Sequence, residues 1–583
     1  MEKPIVPQSF LFNSLQRCIV ACTFLLLAPT LSAQPADQLL HNARIYTLNP
    51  EQPWADTIAI ADDTIVYVGD YAGARPHLAA TTRQTDLDGR LVLPGFIDTH
   101  MHIGETIPYV FAASLGPGMN PEELFAAIAE HVAAYPEQNP VIGNGFLGAA
   151  FGDQGPTAAE LDRAVPDRPA IIFDEGFHSA WINSKAMELV GLTADSPDPV
   201  PGVHYYKRYP DGTPTGWLIE GAAFAWVSEK LGVITEASLE AGADQFLGTL
   251  SSMGITGAFE AGMIGSGEET LALFDRLVAE DRLPLRVVGS LYVNTAEKLA
   301  AAPTDLARLQ QRFHSEFFDV RTLKISLDGT VEAQTAFMLE PYRKPEGHLA
   351  QPLVPAADAK AAIVRAAGEN IDVHLHALGD GAVRLALDGV EAARDAHPQS
   401  RSRFTLCHVQ IVNPADIPRF GALDVVAQST PTWFVYDDIA LEFLGEERLQ
   451  QHYPLRSIAA GGARITLGSD YPASWIGLDG LNPLFNIEMG MTRRPAGDPD
   501  FVPQPLASEV ITLEQAIRGY TLDAAWQLGL EDQIGSLQVG KQADLVVLSD
   551  NLFEMDPYAI HTARVLTTIV DGKTVFSAAD EAP

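Results

Sequence analysis

The sequence predicts an α/β fold in which a (β/α)8 barrel is combined with a β-sandwich built from both chain ends and an insertion over the barrel mouth. Between the two ends, eight short β-rich apolar runs alternate with Ala/Leu/Glu/Arg-rich segments of helical period. Both ends instead show short segments in which polar and apolar residues alternate. The gap between the first two runs is too long for one helix. A chain of 583 residues is long enough for one barrel with these additions.

Composition places the chain among globular proteins. Hydrophobic residues make up 47% and charged residues 19%, which excludes a disordered, collagen-like or coiled-coil protein. The 38 basic and 75 acidic residues give a formal net charge of −37, and the resulting field repels phosphate backbones and anionic membrane surfaces. We therefore expect no nucleic-acid partner and, for the mature protein, no membrane partner.

The N-terminal segment 1–33 has the pattern of a secretory signal peptide. Two basic residues precede an apolar stretch from Cys18 to Leu31, which ends in small residues before the polar Gln34. This stretch is shorter than the roughly 20 residues that a membrane-spanning helix needs. A periplasmic or secreted location follows. Removal of the peptide leaves Cys407 as the single cysteine, in an apolar run, so we expect a buried thiol and no internal disulfide.

The two chain ends are interpreted as parts of one sandwich. Residues 34–90 contain the alternating segments Ala43–Thr47 and Thr64–Val68, separated by Gly, Asp and Pro. Residues 531–583 contain similar segments at Ala543–Leu548 and Leu566–Val570. Short strands of this kind from both ends can pair in one antiparallel unit.

Residues 91–530 carry the barrel pattern. The eight candidate strands are Leu91–Asp98, Gly254–Glu260, Leu285–Val293, Thr322–Leu327, Ile371–His376, Phe404–Val409, Val425–Gln428 and Ile465–Gly468. The gap between the first two holds further candidate elements, including Ala170–Phe173 and Trp217–Glu220. Residues 104–237 are therefore interpreted mostly as an insertion that covers the barrel mouth.

The first candidate strand continues into a His-x-His pair. Side chains two residues apart on a strand point the same way, so His100 and His102 project together at the C-terminal mouth, where barrel enzymes keep their active sites. Two imidazoles placed in this way suit a divalent metal ion. Titratable residues recur at the ends of other candidate strands, at Lys324, His376, His408 and Asp470. Their convergence predicts a metal site at the mouth.

These segments resemble the metal-dependent amidohydrolase superfamily, and most of all its branch (amidohydrolase family 3) that contains N-substituted formamide deformylases. The matching motifs are PGFIDTHMH from Pro94, KISLDG from Lys324, HALGD from His376, HVQ from His408, GSDYP from Gly468 and GSLQVGKQADL from Gly535. The likeness covers nearly the whole mature chain. The family combines a (β/α)8 barrel with a sandwich made from both chain ends, which agrees with the organisation described above.

The resemblance implies a centre of two divalent metal ions, with zinc as the expected element. It implies that His100, His102 and Asp470 contact one ion, that His376 and His408 bind the other, and that a carbamate formed from carbon dioxide on Lys324 bridges both. Two cations lower the pKa of bound water from about 15.7 to about 7, so hydroxide is available to attack a carbonyl. Asp470 is then the general base and acid, and the implied substrate is a small amide, formamide or cyclic amide.

Several of these residues keep a second interpretation. Lys324 could instead pair as an ammonium with Asp328, which lies on the same strand face. Strand parity does not distinguish His374 from His376, and the choice of His376 rests on the family's His-Ala-x-Gly-Asp context, which leaves His374 as a packed barrel residue. His408 taken alone would be read as a core histidine.

Asp470 could also simply end its strand in a Gly-Ser-Asp turn. His178 lies in a segment similar to the family's Gly-His-x-x-Trp-Val-Asn-Ser, but Phe177 stands between the glycine and the histidine. His178 is therefore interpreted either as a catalytic donor to the substrate oxygen or as a structural residue of the insertion. Trp433 and Tyr471 follow the seventh and eighth candidate strands and are the expected substrate contacts.

The primary expectation is an exported binuclear hydrolase that cleaves a non-peptide carbon–nitrogen bond in a small-molecule amide. One alternative is an esterase, lactonase or deaminase on the same site, because attack by hydroxide does not distinguish these leaving groups. Another is a catalytically inactive periplasmic binding protein, against which Asp470 argues, since a binder needs no proton shuttle. A homodimer is left open as the oligomeric state.

Overall fold

The structure is a computed structural model, and it describes residues 33–116, 118–152, 154–262, 268–435, 438–502 and 507–578. The predicted signal peptide lies, apart from its last residue, outside these described residues. Within them, no helix is both long enough and apolar enough to cross a membrane.

The chain begins with short strands that form the first layer of a sandwich. They are β1 (Gln38–His41), β2 (Arg44–Tyr46), β3 (Trp54–Ala55), β4 (Thr57–Ala61), β5 (Thr64–Gly69), β6 (Arg83–Asp86) and β7 (Leu91–Pro94). Four of them make one sheet in the order β5-β4-β1-β6. The others pair in a second sheet with strands from the far end of the chain.

The insertion follows the first barrel strand, β8 (Phe96–Met101). It contains β9 (Ala113–Ser114), β10 (Val141–Phe146), β11 (Ala170–Asp174), β12 (Ser179–Ile182), β13 (Tyr205–Arg208) and β14 (Pro214–Ile219). These form a separate six-stranded sheet in the order β13-β14-β12-β11-β10-β9. The sheet has a core of its own, in which Ile171, Ala180 and Leu218 are fully buried. The insertion is therefore a folded unit that follows directly after the end of β8.

Seven further barrel strands follow along the chain. They are β15 (Ile255–Glu260), β16 (Arg286–Val293), β17 (Phe318–Ser326), β18 (Asp372–Ala377), β19 (Phe404–His408), β20 (Val425–Ser429) and β21 (Ile465–Leu467). With β8 they form one parallel eight-stranded sheet in the order β21-β20-β19-β18-β17-β16-β15-β8. Between its two end strands, Thr99 Oγ1 donates to the backbone oxygen of Leu467 at 2.7 Å, which nearly closes the ring. The predicted barrel is confirmed.

The first predicted strand, Leu91–Asp98, is in fact two strands, which corrects the sequence interpretation. β7 pairs with β2 and, through residues such as Leu93 and Val546, with the C-terminal part of the chain, whereas β8 pairs with β15. Gly95 lies between them, and a Cβ at this position would collide with Thr256. Both strands are buried on both faces, so the apolar run continues across the break and periodicity cannot reveal it.

The C-terminal strands are β22 (Leu545–Leu548), β23 (Val565–Val570) and β24 (Lys573–Ser577). They join the N-terminal strands in a six-stranded sheet of order β24-β23-β22-β7-β2-β3. The predicted composite sandwich is thereby confirmed, and its core contains Ile45 and Ile60 from one end of the chain together with Leu545 and Val547 from the other.

Helices cover the barrel and the insertion. They are α1 (Tyr71–Ala74), α2 (Ile103–Tyr109), α3 (Pro121–Ala134), α4 (Ala158–Leu161), α5 (Ser184–Val190), α6 (Gly221–Leu231), α7 (Glu236–Ser252), α8 (Glu269–Ala279), α9 (Ala296–Arg312), α10 (Ala356–Gly368), α11 (Asp380–Ala396), α12 (Ile417–Ala422), α13 (Asp438–Leu444), α14 (Glu446–Leu449), α15 (Leu455–Ala460), α16 (Pro483–Thr492), α17 (Leu513–Gly519) and α18 (Leu522–Leu528). In α11 the buried Val383, Leu387 and Val390 recur at helical spacing, which gives the helix one apolar face toward the barrel.

Candidate metal centre

Titratable side chains from several strand ends lie together at the C-terminal mouth of the barrel. Asp470 Oδ1 lies 3.2 Å from Nε2 of His100 and 3.3 Å from Nε2 of His102. Asp470 Oδ2 lies 3.6 Å from Nδ1 of His408. Lys324 Nζ lies 3.3 Å from Nε2 of His100. These residues come from β8, β17, the end of β19 and the turn after β21, and the fold brings them to one point as the sequence predicts.

The register of the parallel strands sets which side chains share a level. Lys324 on β17 is paired with His374 on β18, and Ser326 with His376. The rings of His376 and His408 have centroids 4.5 Å apart. His376 therefore joins the cluster from the strand between those of Lys324 and His408.

Two residues of the cluster, His408 and Asp470, have left-handed backbones, with φ angles of 71° and 50°. Val409, which follows His408, has a φ of 46°. Residues with a side chain rarely adopt this region. Neighbouring side chains on a regular strand point to opposite faces. Here the ligand atoms of both Cys407 and His408 lie within 4.8 Å of one another and of His100. The turn of the backbone at His408 is what brings both to the centre.

The donor set fits divalent cations. One ligand atom from each of His100, His102 and Asp470 lies within 4.8 Å of the other two. Both ring nitrogens of His408 are buried and have no hydrogen-bond partner among the described residues, since the oxygen of Asp470 at 3.6 Å is beyond hydrogen-bond distance. Buried polar atoms in native proteins normally have partners. Imidazole and carboxylate are common zinc ligands, so a cation would satisfy this imidazole.

Burial keeps the imidazoles of His100, His376 and His408 neutral, whereas at His102 the hydrogen bond with Asp470 and its charge outweigh burial and raise the pKa. Burial lowers the pKa of His408 to about 3, and it lowers the pKa values of His100 and His376 well below the ordinary value. Burial alone would raise the pKa of Asp470, but its electrostatic contacts with His408 and His102 and the hydrogen bond with His102 outweigh burial and lower it. Neutral imidazoles and an ionised carboxylate are the forms that bind metal ions.

His374 lies behind the centre. Its Nε2 is 3.0 Å from Nδ1 of His100, and its ring stacks on Phe259 with centroids 4.6 Å apart. The contact with His100 fixes the orientation of that ring, so His374 is placed to position a neighbour while it packs in the barrel layer.

Asp328 holds His376. Its carboxylate accepts hydrogen bonds from the backbone N–H groups of Phe337, Leu378 and Gly379, and it lies 3.2 Å from Nδ1 of His376. The other ring nitrogen, Nε2, is left for the cavity that His376 lines. Burial raises the pKa of Asp328 to about 8, and the backbone donors lower it only in part.

Lys324 contacts His100 and Cys407. Its Nζ donates to Cys407 Sγ at 3.1 Å, and burial raises the pKa of the thiol to about 12. The thiol is fully buried, as the sequence predicts. Its place beside Lys324 was not predicted, because residues 407 and 408 would point apart on a regular strand.

The insertion brings His178 to the same mouth. Its ring centroid lies 5.3 Å from that of His376, and its Nδ1 is 2.8 Å from Glu220 Oε2. Burial by itself lowers the pKa of His178, but the charge of Glu220 outweighs burial and raises it to about 9. Phe177, the extra residue in this segment, adopts φ 56° in the turn between β11 and β12.

Glu220 was not identified as a site residue from the sequence. It follows β14 and is 1% exposed, and Thr335 Oγ1 donates to its second carboxylate oxygen at 2.6 Å. The available signal was the candidate element Trp217–Glu220, which ends in this acid. Nothing in the sequence indicates that Glu220 lies beside His178, because their contact depends on the antiparallel pairing of β12 with β14.

The two predicted substrate contacts have different positions. Trp433 stacks on the ring of His408 with centroids 5.4 Å apart and an interplanar angle of 17°, and it lines a cavity over the centre. The ring of Tyr471 instead packs against Phe246 of α7, at 6.4 Å, and Tyr471 is absent from the described residues that line the cavities at the centre. Asp470 turns into the mouth and the ring of its neighbour Tyr471 packs against Phe246, so the substrate contact of Tyr471 stays a prediction.

Comparisons with known proteins agree with this architecture. Residues 83–576 match the model of the amidohydrolase family. The exoenzymes regulatory protein AepA of Pectobacterium carotovorum subsp. carotovorum is 30% identical over 443 residues, which cover 74% of this chain and 93% of that protein. The N-substituted formamide deformylase of Arthrobacter pascens is 25% identical over 554 residues, which cover 92% of this chain and 98% of that protein.

Among solved structures, an uncharacterized metal-dependent hydrolase from Pyrococcus horikoshii OT3 is similar in fold. Its TM-score is 0.69 with 21% sequence identity, and the similarity covers 89% of this chain and 99% of that chain. The family match spans most of the chain, from the sandwich through the barrel and back to the sandwich. The chain therefore belongs to the amidohydrolase family of metal-dependent hydrolases and is a hydrolase of carbon–nitrogen bonds.

Proposed function

We propose that the protein hydrolyses a carbon–nitrogen bond in a small non-peptide amide at a centre of two divalent metal ions, with zinc as the expected element. The observation that carries the proposal is the buried imidazole of His408, which has no hydrogen-bond partner among the described residues and lies beside Asp470 and His100. A buried imidazole without a hydrogen-bond partner lowers the stability of a folded protein. A bound cation would coordinate the imidazole and remove this destabilisation.

In this proposal each ion takes ligands from different strands. His100 and His102 would hold one ion together with Asp470, and His376 and His408 would hold the other. A carboxylated Lys324 would supply the remaining ligand; its Nζ is 3.3 Å from Nε2 of His100 and the residue is 1% exposed. When bound, the cations lower the pKa of water to about 7 and polarise the substrate carbonyl.

The residues of the chain then move one proton and hold the substrate. Asp470 accepts the proton that the attacking water releases as its oxygen bonds to the carbonyl carbon, and delivers it to the amine nitrogen as the carbon–nitrogen bond breaks. His178 donates from Nε2 to the carbonyl oxygen, because Glu220 occupies its Nδ1 and keeps the ring protonated at neutral pH. Asp328, whose Oδ1 lies 3.2 Å from Nδ1 of His376, would keep the orientation of that ring.

The test uses the mature chain, residues 34–583, purified without chelator. We expect about two equivalents of zinc, manganese or iron per chain and turnover on a panel of N-formyl amines, N-acyl amines and cyclic amides. Esters and lactones in the same panel separate an amidase from an esterase. Metal content well below one equivalent, with no activity after metal is added, would contradict the proposal.

Asp470→Asn distinguishes an enzyme from a binding protein. We expect this variant to lose hydrolysis while it keeps bound metal through the remaining histidines. Ligand binding without turnover in both the variant and the parent protein would instead support a binding protein.

We also propose export to the periplasm or beyond the cell. The support is the segment 1–33, in which a basic start, an apolar stretch and small residues before Gln34 follow the order of a signal peptide. N-terminal sequencing of the protein recovered from the periplasm should begin at or near Gln34. An intact N-terminus on cytoplasmic protein would refute export.

A further inference from the structure

The sulfur of Cys407 lies among the metal-site residues, although the proposed function gives it no part. Sγ of Cys407 and one ring nitrogen from each of His100 and His408 lie within 4.8 Å of one another. All three residues are at most 1% exposed. Donor atoms that share one tetrahedral zinc ion lie about 3.5 Å apart, so these three atoms are within reach of one cation.

The imidazole beside the sulfur points to a cation independently of the cysteine. Both ring nitrogens of His408 are buried and have no hydrogen-bond partner among the described residues. Buried polar atoms normally have one. A cation that binds this imidazole would therefore lie close to Sγ of Cys407 as well.

The backbone at His408 places the two neighbouring side chains on the same side. On a regular strand the side chains of residues 407 and 408 would point to opposite faces. His408 instead has φ 71° and the following Val409 has φ 46°, and such conformations persist only where the surrounding structure holds them. Binding of both neighbours by one metal centre would be a reason to keep them.

The hydrogen bonds of the sulfur are compatible with a negative charge on it. Lys324 Nζ donates to Sγ at 3.1 Å, and Sγ lies 3.4 Å from the backbone oxygen of Leu375. A thiol is a weak donor, so little is lost when a cation replaces its hydrogen. The nitrogen of a carboxylated Lys324 keeps one N–H, and a hydrogen bond from it would stabilise a thiolate.

Metal binding requires the thiolate form of Cys407. Burial raises the pKa of the thiol to about 12, but a bound cation deprotonates a coordinating thiol outright. The S–H bond breaks, the sulfur keeps the electron pair and shares it with the cation, and the proton leaves to solvent.

We propose that Cys407 is a thiolate ligand of the metal centre, beside His408 and His100, and that the centre therefore selects zinc over manganese. This inference rests on the metal centre of the proposed function and is independent of the substrate. Thiolate is a soft ligand that favours zinc, whereas manganese favours carboxylate, carbonyl and water oxygens.

Cobalt provides a direct readout, because thiolate ligands give cobalt(II) a sulfur-to-metal charge-transfer band in the near ultraviolet that nitrogen and oxygen ligands do not give. Cys407 is the single cysteine after residue 33, so the band has one source in the mature chain. We expect the band in the cobalt-loaded parent protein. Cys407→Ser and Cys407→Ala should still bind cobalt and lose the band.

The same variants test the choice of metal. Loss of a group that only orients a ligand costs about 10- to 100-fold in metal affinity, so Cys407→Ala should bind zinc at least about tenfold more weakly. Its preference for zinc over manganese should fall as well. Thr405→Ala, at a buried position of the same strand, is the matched control and should keep both the band and the zinc affinity.

X-ray absorption at the zinc edge needs no variant, and it should show sulfur among the atoms bound to zinc in the parent protein. A zinc environment of nitrogen and oxygen alone would overturn the inference, and so would a cobalt band that persists without Cys407. Amide hydrolysis by a centre without sulfur would refute the ligand and leave the proposed function intact. Sulfur bound to the metal, with no amide cleaved, would support the ligand and refute that function. A mature chain that binds no metal would refute both.

Discussion

The hydrogen bond between His374 and His100 should determine how tightly the centre holds metal. His374→Phe removes this bond, 3.0 Å long between two buried rings, and keeps an aromatic ring of similar size against Phe259. Burial holds the pKa of His374 well below its ordinary value, so the substitution removes no charge. The change therefore isolates the orientation of one metal-site histidine.

The expected loss of metal affinity follows from the ring nitrogen of His100 that loses its hydrogen-bond partner. Nδ1 of His100 loses its partner inside the barrel, and a buried polar group without a partner costs about 1–3 kcal/mol. A tenfold change in an equilibrium constant corresponds to about 1.4 kcal/mol, so metal affinity should fall about 5- to 150-fold. Substitutions of groups that orient metal ligands in other proteins cost about 10- to 100-fold, which is the same range.

The assay is competition for zinc against a chromogenic chelator, with metal content measured in parallel. His376→Phe, at a proposed ligand, should lose about one full equivalent of metal. His314→Phe, at an exposed histidine, should bind as the parent protein does. Unchanged affinity in His374→Phe would refute the orienting role, and loss of a whole equivalent would make His374 a ligand.

Three further predictions concern the reaction and the stability of the fold. Asp470→Asn should lower kcat by about 10²- to 10⁴-fold, measured on the best substrate of the panel with metal present, and a rate near that of the parent protein would exclude Asp470 as the proton carrier. Glu220→Gln should lower the pKa of His178, which is now raised from the ordinary 6.5 to about 9. A raised histidine pKa stabilises the fold fully below pH 6.5, and this stabilisation is lost as the pH rises through about 9. The thermal midpoint of the parent protein should therefore exceed that of Glu220→Gln below pH 6.5, and the difference should shrink between pH 6.5 and about 9. Arg286→Met should destabilise the fold by about 3–5 kcal/mol. Asp544 is a buried carboxylate of the sandwich that lies 3.1 Å from the guanidinium of Arg286, and the substitution leaves it without its charge partner. Chemical denaturation monitors this change, and an effect no larger than that of the exposed Arg308→Met would contradict it.

Most of the fold could be predicted because parallel strands buried on both faces appear in sequence as continuous apolar runs. The same property hid the break between Leu93 and Phe96. Both sides of that break are equally apolar, and the decisive contact, between Gly95 and Thr256, joins residues far apart in the chain. The end of a run of this kind can be predicted from the sequence, whereas the sheet to which each half belongs cannot.

Some contacts of the candidate centre could be predicted from the sequence, and others could not. The pairing of His100 with His102 follows from the two-residue period of a strand, and the placement of Lys324 and His408 follows from strand ends that share one mouth. The position of Cys407 could not be predicted, because it depends on the left-handed backbone of His408. The pairing of His178 with Glu220 depends on how two strands of the insertion lie side by side.

The predictions separate two properties of the mouth. Asp470 lies within 3.6 Å of three histidines and is also the proposed proton carrier, and Asp470→Asn, which should keep bound metal through the remaining histidines, should change the chemistry. Among the described residues, His374 lines neither of the two cavities at the centre, and its effect should be on metal affinity. If His374→Phe lowered the rate while the affinity for metal stayed the same, the division of the mouth into a metal centre and an orienting layer would be wrong, even with the fold intact.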